Sequence, residues 1–379
     1  MAESEAKKKL LLIAYRAFGD HMYWSPLIPY LTSRYDVYLE TNTKGWLIFH
    51  DDPRFKQVAR YTDFETAPRE NHWDMFQARW AKVREQVKPD IEINLNGTLE
   101  VLCIAENFQD EFYLPVGERR AIFGYNGFID TIFKRAGIPV PANLDLDVIH
   151  FTDEQKKWIT RWREVKHKDD FVVVIPIAGS TAQKVFHSFK DVALGILDRY
   201  PEAYVYLAGD EACRVHFFEH PRVGSMIGGD RSIKQTLHMV KYADMVIGPE
   251  TYLLASAGMF GTPKIILATT SSVWQMTQFQ KNDFSIQAPI HCSPCHRAIY
   301  FDSDCESPVL DEAGQFLTTS CSKLFRTEDI LQRVGYVHTL WKENRIPPSE
   351  TDGTKSSPHL LESSSVKSGG TILKEEING

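Results

Sequence analysis

The chain has 379 residues, of which 43% are hydrophobic and 25% are charged, and its net charge is −7 at pH 7. This length predicts two domains, because single cores usually stop growing below it. No apolar run approaches the roughly 20 residues that span a bilayer, so we expect no membrane span. The negative charge disfavours a large nonspecific nucleic-acid surface and leaves a local basic groove open.

The first part of the chain alternates apolar runs with helix-compatible segments. The run after Lys7-Lys8-Lys9 is too short for a signal peptide and no small-residue cleavage site follows it. We therefore interpret it as a first β-strand and expect a cytoplasmic protein. The pattern predicts strands over residues 10–14, 37–40, 90–95 and 112–114 and helices over 22–33 and 127–136.

A second series of the same kind follows a polar helix over 153–168. The pattern predicts strands over 171–176, 204–208 and 245–247 and helices over 189–200, 233–242, 252–260 and 327–344. This repetition predicts an α/β fold with two doubly wound domains that face a cleft at the carboxyl ends of their strands. We place the domains at residues 1–165 and 166–346. Residues 347–379 contain seven serines and no aromatic residue, so a disordered tail is expected.

The segment 243–267, ADMVIGPETYLLASAGMFGTPKIIL, predicts a strand, a tight loop, a helix and a second strand in succession. Thr251 is the expected N-cap, and Gly261-Thr262-Pro263 ends the helix. A strand that leads into a helix N-terminus directs unpaired N–H groups at one point, which suits a diphosphate. Such units also occur in every α/β protein, so the segment alone leaves both interpretations open.

A carboxylate and a polar loop follow the strands that open the two domains. Asp20 comes after the first strand, where it either faces the cleft or caps the next helix. The loop after the strand at 171–176 is a candidate phosphate loop without a Walker pattern. In it, Gly179 permits close backbone approach, and Lys184 offers a mobile charge or is simply a solvated lysine. Two hydroxyls complete this loop, those of Ser180 and Thr181.

Glu211 is a further candidate because it follows the strand at 204–208 at the same edge of the sheet. A carboxylate at this position suits the hydroxyls of a ribose or a sugar. It can equally cap the helix that follows, and the sequence leaves the two roles open.

Four of the six cysteines lie in one short stretch, which we call the cysteine segment (residues 291–322). They are Cys292, Cys295, Cys305 and Cys321. A Cys-x2-Cys pair with two further thiols in about 30 residues supplies four soft ligands, which predicts a structural metal without an open coordination position. The alternative is four free thiols. Thiolates alone do not distinguish zinc from iron.

On these residues the chain resembles the heptosyltransferase family of GT-B glycosyltransferases, family 9 in the sequence classification, over most of residues 10–340. Three motifs match in order: Gly-Asp after the first strand, a Gly-Ser-x-x-x-Lys type loop, and ADxVIGxxT followed by Gly-Thr-Pro. The resemblance implies a GT-B fold with two Rossmann-like domains, the first binding the acceptor and the second the nucleotide sugar. It also implies that Asp20 is the catalytic base, that Lys184 assists the donor diphosphate, and that Glu250 and Thr251 contact sugar and phosphate.

The cysteine segment is similar to that of autotransporter-type, protein-modifying members of the family, and this similarity implies a structural iron on four cysteines. The chain departs from the usual Asp-Thr-Gly motif with its later His. Glu250 replaces the Asp, Tyr252 stands at the Gly and Ala255 at the His position. Tyr252 thus reshapes the expected donor pocket, and ADP-heptose is the family's donor rather than a conclusion for this chain.

The hypothesis is an inverting transfer of a sugar from a nucleotide-diphosphate donor to a hydroxyl of a protein Ser/Thr or a glycan. A homo-oligomer is compatible with the sequence. The alternatives are a nucleotide-sugar epimerase or hydrolase, and a non-catalytic, metal-stabilised binding module. His72-Trp73, Trp80 and residues 94–98 either line the acceptor pocket or are core and turn residues.

Overall fold

The computed structural model describes residues 6–15, 17–67, 72–96, 116–123, 126–297 and 305–344. The strand predicted at 112–114 and the tail predicted at 347–379 lie outside these ranges. In the described part, no helix is long and apolar enough to cross a membrane. The α/β class predicted from the sequence is confirmed, because the described strands form two parallel sheets and one short antiparallel hairpin.

The first sheet has the strand order β3-β2-β1-β4, with all neighbours parallel. Its strands are β1 (Lys9–Ala14), β2 (Asp36–Thr41), β3 (Gln57–Arg60) and β4 (Ile91–Asn94). The helices of this lobe are α1 (Phe18–Trp24), α2 (Leu27–Arg34), α3 (Thr43–Phe49), α4 (His72–Val87), α5 (Val116–Phe123) and α6 (Phe128–Arg135).

The second sheet has the order β10-β9-β8-β5-β6-β7 and is also parallel throughout. Its strands are β5 (Phe171–Pro176), β6 (Ala203–Gly209), β7 (Val223–Ile227), β8 (Met245–Pro249), β9 (Lys264–Ala268) and β10 (Ile286–Gln287). The helices that follow α6 along the chain are α7 (Asp153–Arg161), α8 (Phe189–Arg199), α9 (Ile233–Tyr242), α10 (Tyr252–Phe260), α11 (Val273–Thr277), α12 (Ser320–Lys323) and α13 (Thr327–Lys342). The hairpin is β11 (Pro308–Leu310) with β12 (Phe316–Thr319).

Both sheets have the dinucleotide-fold order, in which the first strand lies between the second and the fourth. In the first sheet the chain adds strands on one side of β1 and then returns to place β4 on its other side. In the second sheet it does the same at β5 and β8. Ligands of open α/β sheets bind at the carboxyl ends of strands at such a switch point. The loops after β1, β5 and β8 are therefore the places where a site is expected.

A single apolar cluster runs through both lobes. It contains one face of the first sheet, one face of the second, and the helices α1, α9 and α10 between them. The other face of the second sheet packs against α8 and α13, and the other face of the first sheet packs against α4. Helices thus cover both faces of each sheet, which is the doubly wound arrangement that the sequence predicted.

Some element boundaries differ from the sequence-based expectation. The helix predicted over 22–33 is two helices, because Pro26 has no N–H to donate and its ring excludes a continuous helix. The helix predicted over 153–168 ends at Arg161 and continues as a wider turn over Trp162–Lys166. Several elements were not predicted, namely β3, β7, β10, β11 and β12 and the helices α3, α4, α5, α11 and α12.

Candidate functional site

The turn after β1 carries Asp20 at the carboxyl edge of the first sheet. Asp20 lies in the first turn of α1 rather than before the helix, and its Oδ2 accepts the Ala17 N–H at 3.3 Å. The carboxylate is half-buried. Asp20 Oδ2 thus provides a capping hydrogen bond at the start of α1.

The loop after β5, residues 177–186, which we call the lysine loop, is a tight hairpin-like turn. The Gly179 N–H donates to the Lys184 carbonyl at 2.6 Å, and the Phe186 N–H donates to the Ile177 carbonyl at 2.9 Å. A methyl group at Gly179 would lie 2.8 Å from Lys184 Cβ and 3.3 Å from the Glu250 carbonyl oxygen. Glycine is required here by this close approach of the chain's own atoms. The approach of a phosphate to Gly179 stays a prediction.

Glu250, at the end of β8, is held by the backbone that follows β9. Its Oε1 accepts the N–H groups of Thr269 at 2.6 Å, Thr270 at 2.7 Å and Ser271 at 3.3 Å. Three successive N–H groups that converge on one oxygen form an anion-binding nest. Glu250 therefore supplies the anion of a nest within the chain, a role that the sequence did not reveal.

The two lobes touch at the predicted site. The Phe18 and Tyr252 rings lie 5.1 Å apart, and a methyl group at Gly19 would contact Tyr252 Cα at 3.8 Å. Burial raises the pKa of Tyr23, and the carboxylates of Glu250 and then Asp20 raise it further. The turn that carries Asp20 and the turn that carries Glu250 are therefore neighbours across the interface between the lobes.

Tyr252, a predicted donor contact, points into this interface. Besides contacting the ring of Phe18, its phenol forms a hydrogen bond with the Thr236 side chain. Burial raises the pKa of Tyr252 to about 12. Its aromatic surface is thus used to join α10 to α1. Ala255, one turn further along α10, is buried.

Three predicted phosphate-binding groups lie at this edge, and no partner for them is found among the described residues. The hydroxyls of Thr181 and Thr251 are buried and have no hydrogen-bond partner among the described residues. Lys184 is half-buried, and no ion pair of its ammonium group is found in the described part of the chain. Ser180 is exposed. Buried hydroxyls without partners are costly, so these positions fit a bound oxyanion.

Glu211 lies elsewhere on the same edge and has a protein partner. Arg214 donates to both of its carboxylate oxygens at 2.6 and 3.0 Å and also donates to Asp230 at 3.1 Å. Arg214 lowers the pKa of Glu211. The helix cap at this turn is Asp210, which accepts the Cys213 N–H, so Glu211 is the carboxylate of an exposed ion pair rather than a cap.

Asp244, the Asp of the ADxVIG motif, is structural. Its carboxylate accepts two bonds from Arg163 at 3.1 Å and the Val172 N–H at 2.7 Å. It therefore fastens the start of β8 to the start of β5, at the edge of the sheet opposite to the lysine loop. This part of the motif supports the fold and does not touch the site.

The aromatic residues suggested for an acceptor pocket form a core on the first lobe. Trp80 and Phe76, both on α4, are buried with Tyr15 and Tyr61, and the rings of Trp80 and Phe76 lie nearly parallel, 5.9 Å apart. Asn96 forms a turn contact, in which its side chain accepts the Tyr15 N–H at 2.8 Å. The Trp73 side chain and residues 97–98 lie outside the described residues.

The cysteine segment contacts the lysine loop and the turn that follows β9. Burial, the largest cause, raises the pKa of the Cys321 thiol to about 11, and the nearby Cys305 and Cys292 thiols act in the same direction. Cys295 Sγ lies 3.7 Å from the Arg297 carbonyl oxygen. Across the described residues, no three His, Cys, Asp or Glu side chains are placed to share one ion. Cys292, Cys305 and Cys321 are thus near one another, and the described residues do not form a complete ligand set.

The fold is shared with solved glycosyltransferases. A family 9 glycosyl transferase from Veillonella parvula DSM 2008 has a TM-score of 0.59 at 12% identity, covering 88% of this chain and 97% of that one. The E. coli ADP-heptose LPS heptosyltransferase II has a TM-score of 0.54 at 11% identity, covering 88% and 99%. The iron-containing, dodecameric glycosyltransferase TibC from enterotoxigenic E. coli H10407 has a TM-score of 0.53 at 11% identity, covering 89% and 78%.

These likenesses establish the two-lobed GT-B fold that the sequence resemblance implied. At this identity they show the fold alone. No protein-family profile matches the chain, and no curated protein matches it in sequence.

Proposed function

We propose that the chain is a glycosyltransferase that moves a sugar from a nucleotide-diphosphate donor to an acceptor hydroxyl. The observation that carries the proposal is the close approach of Gly19 to Tyr252, which brings the Asp20 turn against the start of α10, just after β8. Both turns lie at switch points, where open α/β sheets bind ligands. The E. coli heptosyltransferase II acts with ADP-heptose by its name, and we propose ADP-heptose as the first donor to test.

The second lobe supplies the groups for the diphosphate in this proposal. Lys184 provides positive charge, and the hydroxyls of Thr181 and Thr251 provide hydrogen bonds. Backbone N–H groups at the start of α10 provide the positive end of the helix dipole. The first lobe, residues 1–165, binds the acceptor, and the second, residues 166–346, binds the donor.

The reaction that follows is an inverting displacement. The acceptor oxygen forms a bond to the anomeric carbon, the bond from that carbon to the diphosphate oxygen breaks, and the acceptor proton passes to the Asp20 carboxylate. An ordinary carboxylate has a pKa near about 4, so the proton moves late, when the attacking oxygen has become acidic. Most of the rate acceleration therefore comes from positioning and from neutralising the leaving diphosphate.

The departures from the family motif are compatible with an active site. Tyr252 is used in the contact between the lobes and Glu250 in the nest at residues 269–271. Ala255 is buried in α10. Each substitution has a structural partner, so the departures do not by themselves favour a non-catalytic module.

A screen of nucleotides and nucleotide sugars by thermal shift tests the donor. A ligand at about 100 times its Kd stabilises the folded state by about 2.7 kcal/mol. We expect stabilisation by ADP and by an ADP-sugar, followed by mass-spectrometric detection of the sugar on a protein Ser/Thr or a glycan. The absence of stabilisation by every nucleotide sugar would favour a binding module. Release or isomerisation of the sugar without acceptor would favour a hydrolase or an epimerase.

The substitution Asp20→Asn tests the base. The amide keeps the size of the side chain but cannot take the proton, so we expect transfer to fall by at least about 100-fold. Donor affinity measured by calorimetry should stay unchanged. A normal transfer rate in this variant would show that Asp20 is not the base.

We further propose that the four cysteines of the cysteine segment hold one structural metal ion. The proposal rests on the donor chemistry of four thiols and on the proximity of Cys292, Cys305 and Cys321. TibC is described as iron-containing, so iron is the first candidate and zinc the second. Such an ion would hold the segment together and take no part in the transfer.

Metal analysis of the purified protein tests this second proposal. We expect one equivalent of metal per chain, and its loss in Cys321→Ser. Cys213→Ser is the matched control, because Cys213 is buried against Gly209, outside the cysteine segment. Equal metal content in both variants and the wild type would exclude the four-cysteine site. A visible absorption band would distinguish iron from zinc, which has a filled d shell.

A further inference from the structure

Gln183 connects three segments of the second lobe. It belongs to the lysine loop, only 1% of its surface is exposed, and its side-chain Nε2 donates to Thr270 Oγ1 at 2.9 Å and to the Arg297 carbonyl at 2.7 Å. Its own carbonyl accepts a longer bond of 3.4 Å from Thr269 Oγ1. One buried amide therefore joins the lysine loop to the nest at residues 269–271 and to the cysteine segment.

The other end of the cysteine segment contacts the same loop. Thr318 Oγ1 donates to the Ala182 carbonyl at 3.2 Å, and His187 Nε2 lies 3.1 Å from the hydroxyls of both Thr318 and Ser322. Ser322 follows Cys321 directly in the sequence. The turn that contains Lys184 is thus held from both ends of the cysteine segment.

We propose that Gln183 is a positioning residue that couples the cysteine segment to Lys184, so that an intact cysteine segment sets the affinity of the lysine loop for a nucleoside diphosphate. The inference rests on the proposed function, because it assigns to Lys184 the diphosphate of that proposal. In this proposal Gln183 acts through Lys184 and does not itself touch the substrate.

The local geometry explains why the coupling reaches Lys184. Gln183 and Lys184 are consecutive in one short turn, Ala182–Lys184. The Gly179 N–H and the Thr181 carbonyl hold the backbone of Lys184 from the other side at 2.6 and 2.9 Å. Loss of the Gln183 amide removes the bonds of this turn to Thr270 and Arg297, which loosens the backbone that carries the Lys184 side chain.

A double-mutant cycle with ADP as the probe tests the coupling. Gln183→Met keeps the length and the buried volume of the side chain and removes the amide. We expect it to weaken ADP binding about tenfold, equivalent to about 1.4 kcal/mol. In a Lys184→Ala background the same substitution should change the affinity less than about twofold, because the residue through which it acts is gone. Equal losses in both backgrounds would overturn the proposal.

Hydrogen exchange of the ligand-free protein tests the same coupling without a donor. In Gln183→Met, peptides that cover 177–186 and 291–297 should both exchange faster than in the wild type. Gln155→Ala is the control, because it removes a glutamine amide that bonds Asp51 at 3.0 Å in another part of the chain. Faster exchange in only one of the two peptides, or in neither, would overturn the proposal. If the wild type shows no ADP binding, the proposed function fails, and the exchange result still decides the coupling.

Discussion

Glu250 is either a carboxylate that contacts the sugar or a structural anion within the chain, and the variant Glu250→Gln tests which role it has. The resemblance to the heptosyltransferases implies a contact with sugar and phosphate at this position, whereas the structure shows Oε1 accepting three backbone N–H groups. A carboxylate that only binds substrate can be replaced without loss of stability. A carboxylate that fills a nest cannot.

The expected magnitude follows from the bond lengths. A hydrogen bond to a charged group contributes about 1.5–3 kcal/mol and a neutral one about 0.5–1.5 kcal/mol. Replacing the carboxylate by an amide oxygen therefore costs about 1 kcal/mol for each strong bond. The bonds from Thr269 and Thr270 are short, at 2.6 and 2.7 Å, and that from Ser271 is long, at 3.3 Å. We expect Glu250→Gln to lower the free energy of unfolding by about 2 kcal/mol, and Glu250→Ala by about 3 kcal/mol because it leaves N–H groups unpaired.

Equilibrium denaturation in urea measures this loss, provided that the m-value is unchanged between variants. The matched control is Glu211→Gln. Glu211 also follows a strand of the second sheet, but its side chain is 69% exposed and pairs with Arg214 at the surface. We expect the control to leave the free energy of unfolding close to that of the wild type, because exposed ion pairs contribute little.

Two results would refute the structural role of Glu250. One is an unfolding free energy for Glu250→Gln that equals that of the wild type. The other is a loss equal to that of Glu211→Gln. Reduced donor affinity without any loss of stability would assign Glu250 to the substrate instead.

Further predictions concern the lysine loop, the interface between the lobes and the C-terminal helix. Gly179→Ala places a methyl 2.8 Å from Lys184 Cβ, so calorimetry should show ADP binding weakened about tenfold, while Gly229→Ala, in open space, should bind as the wild type does. Tyr252→Ala should cost about 2 kcal/mol in urea denaturation, since a half-buried aromatic contact is lost, and an unchanged midpoint would contradict the contact with Phe18. The bond from Lys342 lowers the pKa of Glu202 from 4.5 to about 2, so its stabilising effect is present above pH 4.5 and is lost as the pH falls towards 2. Since Lys342 is half-exposed, we expect Glu202→Gln to cost about 1 kcal/mol at pH 7 and nothing near pH 2, as denaturation at both pH values will show.

Many element bounds of the second lobe can be predicted from local sequence, whereas the contacts that build the site cannot. The helices Ile233–Tyr242 and Tyr252–Phe260 and the strand Phe171–Pro176 have the bounds that the sequence predicted, because caps, apolar runs and a terminal glycine with a φ of 72° act locally. The nest around Glu250 joins residues about 20 positions apart, and Gln183 bonds Arg297 across 114 positions. Periodicity carries no information on such pairings, so these roles could not be predicted.

Tyr252 also explains how the site is kept in place. Interfaces between domains of one chain are usually polar and permit relative motion. Here the apolar cluster is continuous through both sheets, Tyr252 packs on Phe18, and Lys234 pairs with Asp51 at 2.8 Å on a second contact between the lobes. Since Phe18 lies two residues before Asp20, the aromatic contact fixes the distance between the first-lobe carboxylate and the start of α10. Tyr252 therefore holds the Asp20 turn against the start of α10, and in the proposed transfer its loss should affect the rate more than donor affinity.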